Sequence, residues 1–242
     1  SPQRTSVQLV GGEARGVLYA VDELLDRYRP ADQTFVLPQD LKDAPDAIWR
    51  GATFVGHGDL FGPVGSEAAQ AKLAHYQNII RYLGRHRQNT VILFAGWPSN
   101  LSPLLTWHEF PRLYDANRLQ DVEARRARFR TLIDTAHAYG LDAYLCTTEF
   151  TFDRALLATC PEIKGILPPS WSSGLFSYLD KSGFTPICPS KPLTWEWYRA
   201  KVREIFQTFP DLAGYELWLA ESFSDVTTCH CEECRKLTPP DK

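Results

Sequence analysis

Two glutamates directly follow predicted buried strands. Glu149 comes after a strand that ends near Cys146, and Glu221 after one that ends near Ala220. Hydrolysis of a glycosidic bond usually needs two carboxylic acids, one to protonate the leaving oxygen and one to act as nucleophile or direct a water. This placement predicts Glu221 as the general acid/base and Glu149 as its helper. A solvated loop residue or helix cap is the alternative for Glu149.

Glu216 lies five residues before Glu221, on the other face of a regular strand, so we expect it to pair with a basic side chain.

Further polar and aromatic side chains near strand ends could bind a sugar. Trp97, Trp171 and Trp218 could stack on the apolar face of a sugar ring, or simply fill core. Arg50 could donate two hydrogen bonds to neighbouring hydroxyls, or fix a loop. His57 could bind the ligand or be a satisfied loop residue.

Three of the six cysteines, Cys229, Cys231 and Cys234, have the close spacing of a metal knuckle. Tetrahedral zinc needs four ligands, and His230 is too constrained between two of these to join them. The fourth ligand would be Cys188, Cys160, Asp225 or a residue beyond the chain's end. A structural zinc site, a disulfide and free thiols all remain open.

Helices and strands alternate along the chain. Apolar residues at helical spacing predict four helices, and continuous apolar runs predict buried strands between and after them. The helices are expected over 16–28, 68–86, 121–139 and 194–209, and the strands near 49–57, 91–95, 141–146 and 214–220.

This alternation predicts an α/β fold with parallel strands. No Gly-rich phosphate loop follows the first strand, and long loops follow every strand, so a (β/α) TIM-type barrel is favoured over an open nucleotide-binding sheet. Only four strands are found where a closed barrel has eight, so the sequence predicts its first half. Residues 1–46 read as the end of a small α+β domain, and residues 47–242 as the N-terminal half of the barrel.

Bulk composition excludes several partners. The 242 residues carry a formal net charge of -3 with no long run of either sign, so no nucleic-acid partner is expected. No apolar stretch approaches the roughly 20 residues that cross a bilayer. The sequence contains no Met and no secretory signal. We therefore expect a soluble protein that begins after a removed or omitted segment. A secreted or periplasmic location with the signal removed is one alternative, and composition leaves the oligomeric state open.

Three segments resemble known glycosidases. The run from Gly16 to Leu25 resembles the last helix of the small domain that precedes the barrel in β-hexosaminidases and α-glucuronidases. The Trp49-Arg50-Gly51 step resembles their first barrel strand. The stretch from Glu221 to Asp225, followed by Cys-x-Cys-x-x-Cys, resembles a segment of bacterial relatives of α-glucuronidases.

The resemblance implies that Arg50 grips sugar hydroxyls and that Glu221, after the fourth strand, is the acid/base carboxylate. Ala220 stands where hexosaminidases carry Asp, which argues against an acetamido sugar and substrate-assisted chemistry. The resulting hypothesis is a glycoside hydrolase acting on a glycan or glucuronide, with no cofactor needed for catalysis. A non-catalytic carbohydrate-binding barrel stabilised by its Cys-rich loop is the alternative.

Overall fold

The computed structural model describes residues 7–35, 42, 44, 47–54, 60, 62–94, 102–148, 154–166, 187–218 and 229–237. Its centre is a four-stranded parallel sheet in which sequential strands are neighbours. A hairpin of β1 (Tyr28–Arg29) and β2 (Thr34–Phe35) precedes it. The sheet strands are β3 (Gly51–Phe54), β4 (Thr90–Phe94), β5 (Asp142–Thr148) and β6 (Gly214–Trp218). All four predicted sheet strands are therefore confirmed.

Six α-helices accompany the strands within the described residues. Ser66 caps α2 by accepting a hydrogen bond from the Ala69 amide, and Gly140, at a φ of 73°, follows the end of α3. The helices are α1 (Ala14–Asp26), α2 (Glu67–Arg85), α3 (Leu119–Ala138), α4 (Arg154–Thr159), α5 (Pro192–Thr208) and α6 (Glu232–Leu237). The four predicted helices correspond to α1, α2, α3 and α5, with bounds shifted by one to two residues.

One face of the sheet carries the hydrophobic core. Alternate strand residues such as Val91, Leu93 and Leu145 are buried in one cluster with side chains of α2, α3 and α5. Leucine, isoleucine and aromatic side chains dominate this cluster, and their burial is the main stabilising contribution.

The strand order distinguishes the two fold classes left open by the sequence. In a doubly wound sheet the order reverses once, so helices cover both faces. Here the order β3-β4-β5-β6 never reverses, as in a (β/α) barrel. The described residues thus form four consecutive strands of barrel type, and closure of the barrel is not seen among them.

The N-terminal elements pack at the amino ends of the strands. Arg15 on α1 forms an ion pair with Asp142 at the start of β5, with 2.8 Å between Nη2 and Oδ1. The Tyr19 hydroxyl donates to the carbonyl oxygen of Gln88, just before β4, over 3.2 Å. Helix α1 therefore leaves the opposite, carboxyl edge of the sheet free of its contacts. The domain boundary at residue 46 stays a prediction.

Within the described ranges, every helix is too short or too polar to cross a lipid bilayer.

Candidate metal centre and active-site edge

Four cysteines meet in one small cluster. The Sγ atoms of Cys188, Cys229, Cys231 and Cys234 all lie within 4.8 Å of one another. The Cys188 sulfur is 3.7 Å from that of Cys231 and 3.8 Å from that of Cys234. All four are free thiols, and Cys188, Cys229 and Cys234 are buried. Of the four possible partners considered for the cysteine knuckle, the structure brings Cys188 to it, whereas Cys160 is buried in the main core.

Backbone hydrogen bonds fix Cys188 immediately before α5. Its amide donates to the Ile163 carbonyl over 2.7 Å, next to an antiparallel bridge between Lys164 and Ile187. Its own carbonyl accepts from the Thr194 hydroxyl over 2.7 Å. Because Thr194 is completely buried, this bond ties the cysteine rigidly to the first turn of α5.

The other three cysteines form a knuckle that leads into α6. Cys231 is the N-cap residue, because its carbonyl accepts the first helical hydrogen bond from Arg235, and its sulfur accepts from the Cys234 amide over 3.4 Å. On the other side, the Ile166 amide donates to the Cys229 sulfur over 3.2 Å. The His230 amide donates to the Ile166 carbonyl over 2.8 Å, which pins the knuckle to this segment.

The thiols differ in their electrostatic environment. The hydrogen bond from the Cys234 amide is the main cause that lowers the pKa of Cys231 to about 6. Burial raises the pKa of Cys188 to about 12, and burial also raises the pKa of Cys234. Of these three thiols, Cys231 is therefore the one that most readily becomes the thiolate that binds metals.

The carboxyl ends of β5 and β6 lie side by side. Thr148, the last residue of β5, is in register with Trp218, the last residue of β6. Glu149 follows Thr148 directly, and Glu221 comes three residues after Trp218. The predicted catalytic and sugar-binding residues Glu149, Glu221, His57, Trp97 and Trp171 lie outside the described residues.

Glu216 occupies the face of β6 that points away from the helices. It is in register with Cys146 and exposed, whereas its neighbour Tyr215 packs against the core on the helix side. Glu216 makes no ion pair with any residue that the structure describes. The expected structural pairing of Glu216 with a basic side chain is thus not found there.

Arg50 lies at the amino end of β3. Its Nε donates to the Arg87 carbonyl over 3.0 Å and its Nη1 to the Ala47 carbonyl over 2.5 Å, while its guanidinium lies 5.9 Å from the centre of the Tyr19 ring. Barrels of this type bind substrate at the opposite, carboxyl edge. We therefore correct the sugar-binding expectation and assign Arg50 to fixing the loop before β3.

A buried ion pair that the sequence analysis missed holds the loop after β4. Glu204 on α5 is 2% exposed, and its Oε1 lies 2.5 Å from Nη2 of Arg126 on α3. It also accepts from the amides of Thr106 and Trp107, over 2.6 Å and 2.9 Å. Glu204 lies seven residues after Trp197 and four after Ala200, on the buried face of α5, whereas the other glutamate of that helix, Glu196, is exposed. This helical spacing is the signal that could have identified it.

A groove of about 410 Å³ lies between α5 and the loop that contains Phe110. Its lining includes Arg112, Arg199 and Arg203. It contains none of the residues predicted for sugar binding or catalysis, so it adds nothing to the carboxyl-edge site.

No family model matches the sequence, and none of the curated proteins matches it significantly. Solved structures that share its fold include three enzymes. One is a GH138 enzyme that targets pectin rhamnogalacturonan II (17% identity, TM-score 0.55, covering 88% of this chain and 23% of that one). Another is the β-N-acetylhexosaminidase of Bacteroides fragilis (16% identity, TM-score 0.54, covering 92% of this chain and 41% of that one). The third is the GH20 exo-β-N-acetylglucosaminidase of Vibrio harveyi, solved with N-acetylglucosamine (16% identity, TM-score 0.54, covering 92% of this chain and 35% of that one).

The chain thus spans less than half the length of these enzymes. Sequence identities of 16 to 17% indicate a shared fold, but they do not identify a substrate or a set of catalytic residues. Over the part that it spans, the chain shares the fold of these three glycoside hydrolases.

Proposed function

We propose that the protein is a glycoside hydrolase in which Glu221 is the general acid/base and Glu149 assists it. The observation that carries the proposal is the register of Thr148 with Trp218, which makes the carboxyl ends of β5 and β6 immediate neighbours. Both glutamates follow these ends within three residues in the sequence. Active sites of (β/α) barrels are built at this edge.

The spacing of the strands suits a pair of catalytic carboxylates. Neighbouring strands lie about 4.8 Å apart. The two carboxyl groups of glycosidases are about 5 to 5.5 Å apart in retaining enzymes and about 6.5 to 9.5 Å apart in inverting enzymes. Two carboxyl groups on side chains that leave adjacent strand ends can therefore be separated by either of these distances.

The same edge contains apolar side chains. Phe94 is the last residue of β4, its register partner Cys146 lies two residues before the end of β5, and both are 1% exposed. A glutamate that serves as the acid has to keep its proton near neutral pH, and apolar surroundings favour the protonated form. We propose that Trp218, with Trp97, Trp171 and His57, contributes to the sugar site above this apolar base.

The proposed substrate is a glycan or glucuronide without an acetamido group that takes part in the reaction. In hexosaminidase-like enzymes, the resemblance implies an Asp before the acid/base glutamate, and this chain has Ala220 there. Without that Asp, catalysis needs a second carboxylate from another position. We propose that Glu149 provides it.

The test compares Glu221→Gln and Glu149→Gln with the unchanged protein on aryl glycosides, N-acetylglucosaminides and uronides. Loss of the general acid should lower kcat about 10²- to 10⁴-fold with little change in sugar affinity. Glu13→Gln is the matched control, since Glu13 is exposed and its side chain caps nothing at the start of α1. Turnover equal in Glu221→Gln and the unchanged protein would assign the acid to another residue.

The alternative, a carbohydrate-binding barrel without turnover, has a distinct outcome. In that case no substrate is cleaved, and Glu221→Gln weakens sugar binding measured by calorimetry. A hydrolase instead keeps its affinity in this variant and loses its rate.

A further inference from the structure

We propose that Cys188, Cys229, Cys231 and Cys234 bind one zinc ion that joins two segments of the chain. These segments are 187–190, which leads into α5, and 229–235, which includes the start of α6. A third segment, 163–166, contains no ligand but is hydrogen-bonded to both of them. The proposal is independent of the glycosidase assignment, because it concerns the cysteines alone.

The distances fit a single tetrahedral ion. Zinc–thiolate bonds are about 2.3 Å long, and a tetrahedron with such arms has edges of about 3.8 Å. The two sulfur–sulfur distances from Cys188, to Cys231 and Cys234, are 3.7 Å and 3.8 Å. These two pairs of sulfurs thus already have the spacing that a shared ion imposes.

The compactness of the cluster argues against an iron–sulfur cluster. Sulfurs bound to one ion are at most about 4.6 Å apart, twice the bond length. Cysteines that each hold a different iron of a larger cluster are spaced more widely. Here all four sulfurs lie within 4.8 Å of one another, which is close to the limit for a mononuclear site and tighter than a larger cluster requires.

The contacts around the sulfurs stabilise thiolates. The amides of Ile166, Cys231 and Cys234 each donate to a cysteine sulfur, at 3.2 to 3.4 Å. The hydroxyl of Ser190 lies 2.9 Å from the sulfur of Cys234. Such outer contacts orient the ligands of metal sites and offset their negative charge.

The positions of the four sulfurs do not favour any one pair of cysteines as a disulfide. A disulfide requires two sulfurs at about 2.05 Å, as a pair separated from the rest. Cys188 is almost equidistant from Cys231 and Cys234. With four cysteine ligands and no position for water, the site is closed, which is typical of structural zinc.

The ion also accounts for an otherwise weakly supported part of the fold. Cys188, Cys229 and Cys234 form a cluster separate from the main hydrophobic core. Helix α6 has only six residues, too few for a helix to be stable by itself. A metal bound to the residues at its start provides the missing support.

The test is metal analysis of the protein purified under reducing conditions without added metal. We expect about one zinc per chain, and X-ray absorption should show four sulfur ligands at about 2.3 Å with no nitrogen or oxygen. Less than about a tenth of an equivalent of zinc, iron in its place, or a mass lower by four hydrogens from two disulfides would overturn the proposal.

Variants localise the ion. Cys188→Ser and Cys234→Ser should bind less than about a fifth of the zinc of the unchanged protein. Cys160→Ser is the matched control, because Cys160 is equally buried but lies in the main core, and it should keep its zinc. Full zinc in Cys188→Ser would exclude Cys188 as a ligand. If a serine variant does not fold, the absorption spectrum of the unchanged protein still decides the ligand set.

Discussion

At the scale of single residues, the best-supported polar contact is the buried pair of Glu204 and Arg126. Glu204 accepts hydrogen bonds from Thr106 and Trp107 as well as from Arg126, whose Nε also donates to the Leu104 carbonyl over 2.9 Å. Both charges are therefore compensated out of contact with water. The pair connects α3 and α5 to the loop that follows β4.

Glu204→Gln should destabilise the protein by about 3 to 5 kcal/mol, because it removes the buried partner of Arg126 and leaves that charge only the exposed Glu123 for compensation. Urea denaturation followed by tryptophan fluorescence measures this change. Glu123→Gln is the matched control, since Glu123 pairs with the same arginine but is 56% exposed and should cost less than about 1 kcal/mol. Equal effects of the two substitutions would contradict the assigned role.

Some residues of the candidate sites can be predicted from the sequence, and others cannot. The cysteine knuckle was evident from spacing, but the choice of Cys188 over Cys160 depends on a bridge between Lys164 and Ile187 that no local pattern reveals. Arg50 illustrates the reverse case. Its place beside a strand suggested a ligand contact, whereas the structure shows that it lies at the amino edge, bound to carbonyl groups.

At the scale of elements, the packing of α2 depends on a glycine. Gly84 lies in the last turn of α2, where a Cβ atom would come within 2.7 Å of the Tyr139 Cβ and 2.8 Å of the Tyr139 carbonyl oxygen. Tyr139 belongs to the turn between α3 and β5. The close approach of α2 to this turn therefore requires a residue without a side chain.

Gly84→Ala should destabilise the protein by about 1 to 3 kcal/mol, although alanine favours helix by about 0.5 to 1 kcal/mol. The backbone contact has little freedom to move, so crowding outweighs propensity. Thermal and urea unfolding measure the difference. Gly12→Ala is the control, because a Cβ there meets no atom within 4 Å and should change stability by less than about 0.5 kcal/mol. A stabilised Gly84→Ala protein would show that this contact is loose.

Elements with strong patterns were predictable, and short ones were not. The strand β4 consists mostly of the apolar run Val91 to Phe94, and α3 ends two residues before Gly140, since both signals are local. The hairpin of β1 and β2 has two exposed residues per strand and no apolar alternation. Helix α6 has too few residues for a periodic pattern.

At the scale of the whole molecule, the class of fold followed from the alternation of helix and strand. The choice between a barrel and an open sheet rested on the missing phosphate loop, and the strand order supports that choice. Burial was harder to predict, because it depends on which loops cover a surface. Lys201 and Glu204 on α5 are 1% and 2% exposed, yet their spacing is that of an ordinary surface ion pair.

The two proposals meet in the stretch between β6 and the metal centre. Trp218 ends β6, and Cys229 follows eleven residues later, with Glu221 between them in the sequence. The sheet fixes one end of this stretch and the proposed zinc ion fixes the other. The main core contains none of the four cysteine ligands, so its packing does not depend on the ion.

Removal of zinc should therefore lower activity more than it lowers helix and strand content. We expect kcat to fall at least about tenfold, because a displaced catalytic group costs rate even when the fold persists. Far-UV circular dichroism should change little, and the unfolding temperature should decrease because a ligand of the native state has been lost. Reconstitution with one equivalent of zinc should restore kcat and the unfolding temperature.

The Cys160→Ser protein, treated in the same way, is the control for damage to other thiols. Full activity in the zinc-free protein, with no metal detected, would show that the ion does not position the catalytic segment, while leaving its binding by the four cysteines untouched.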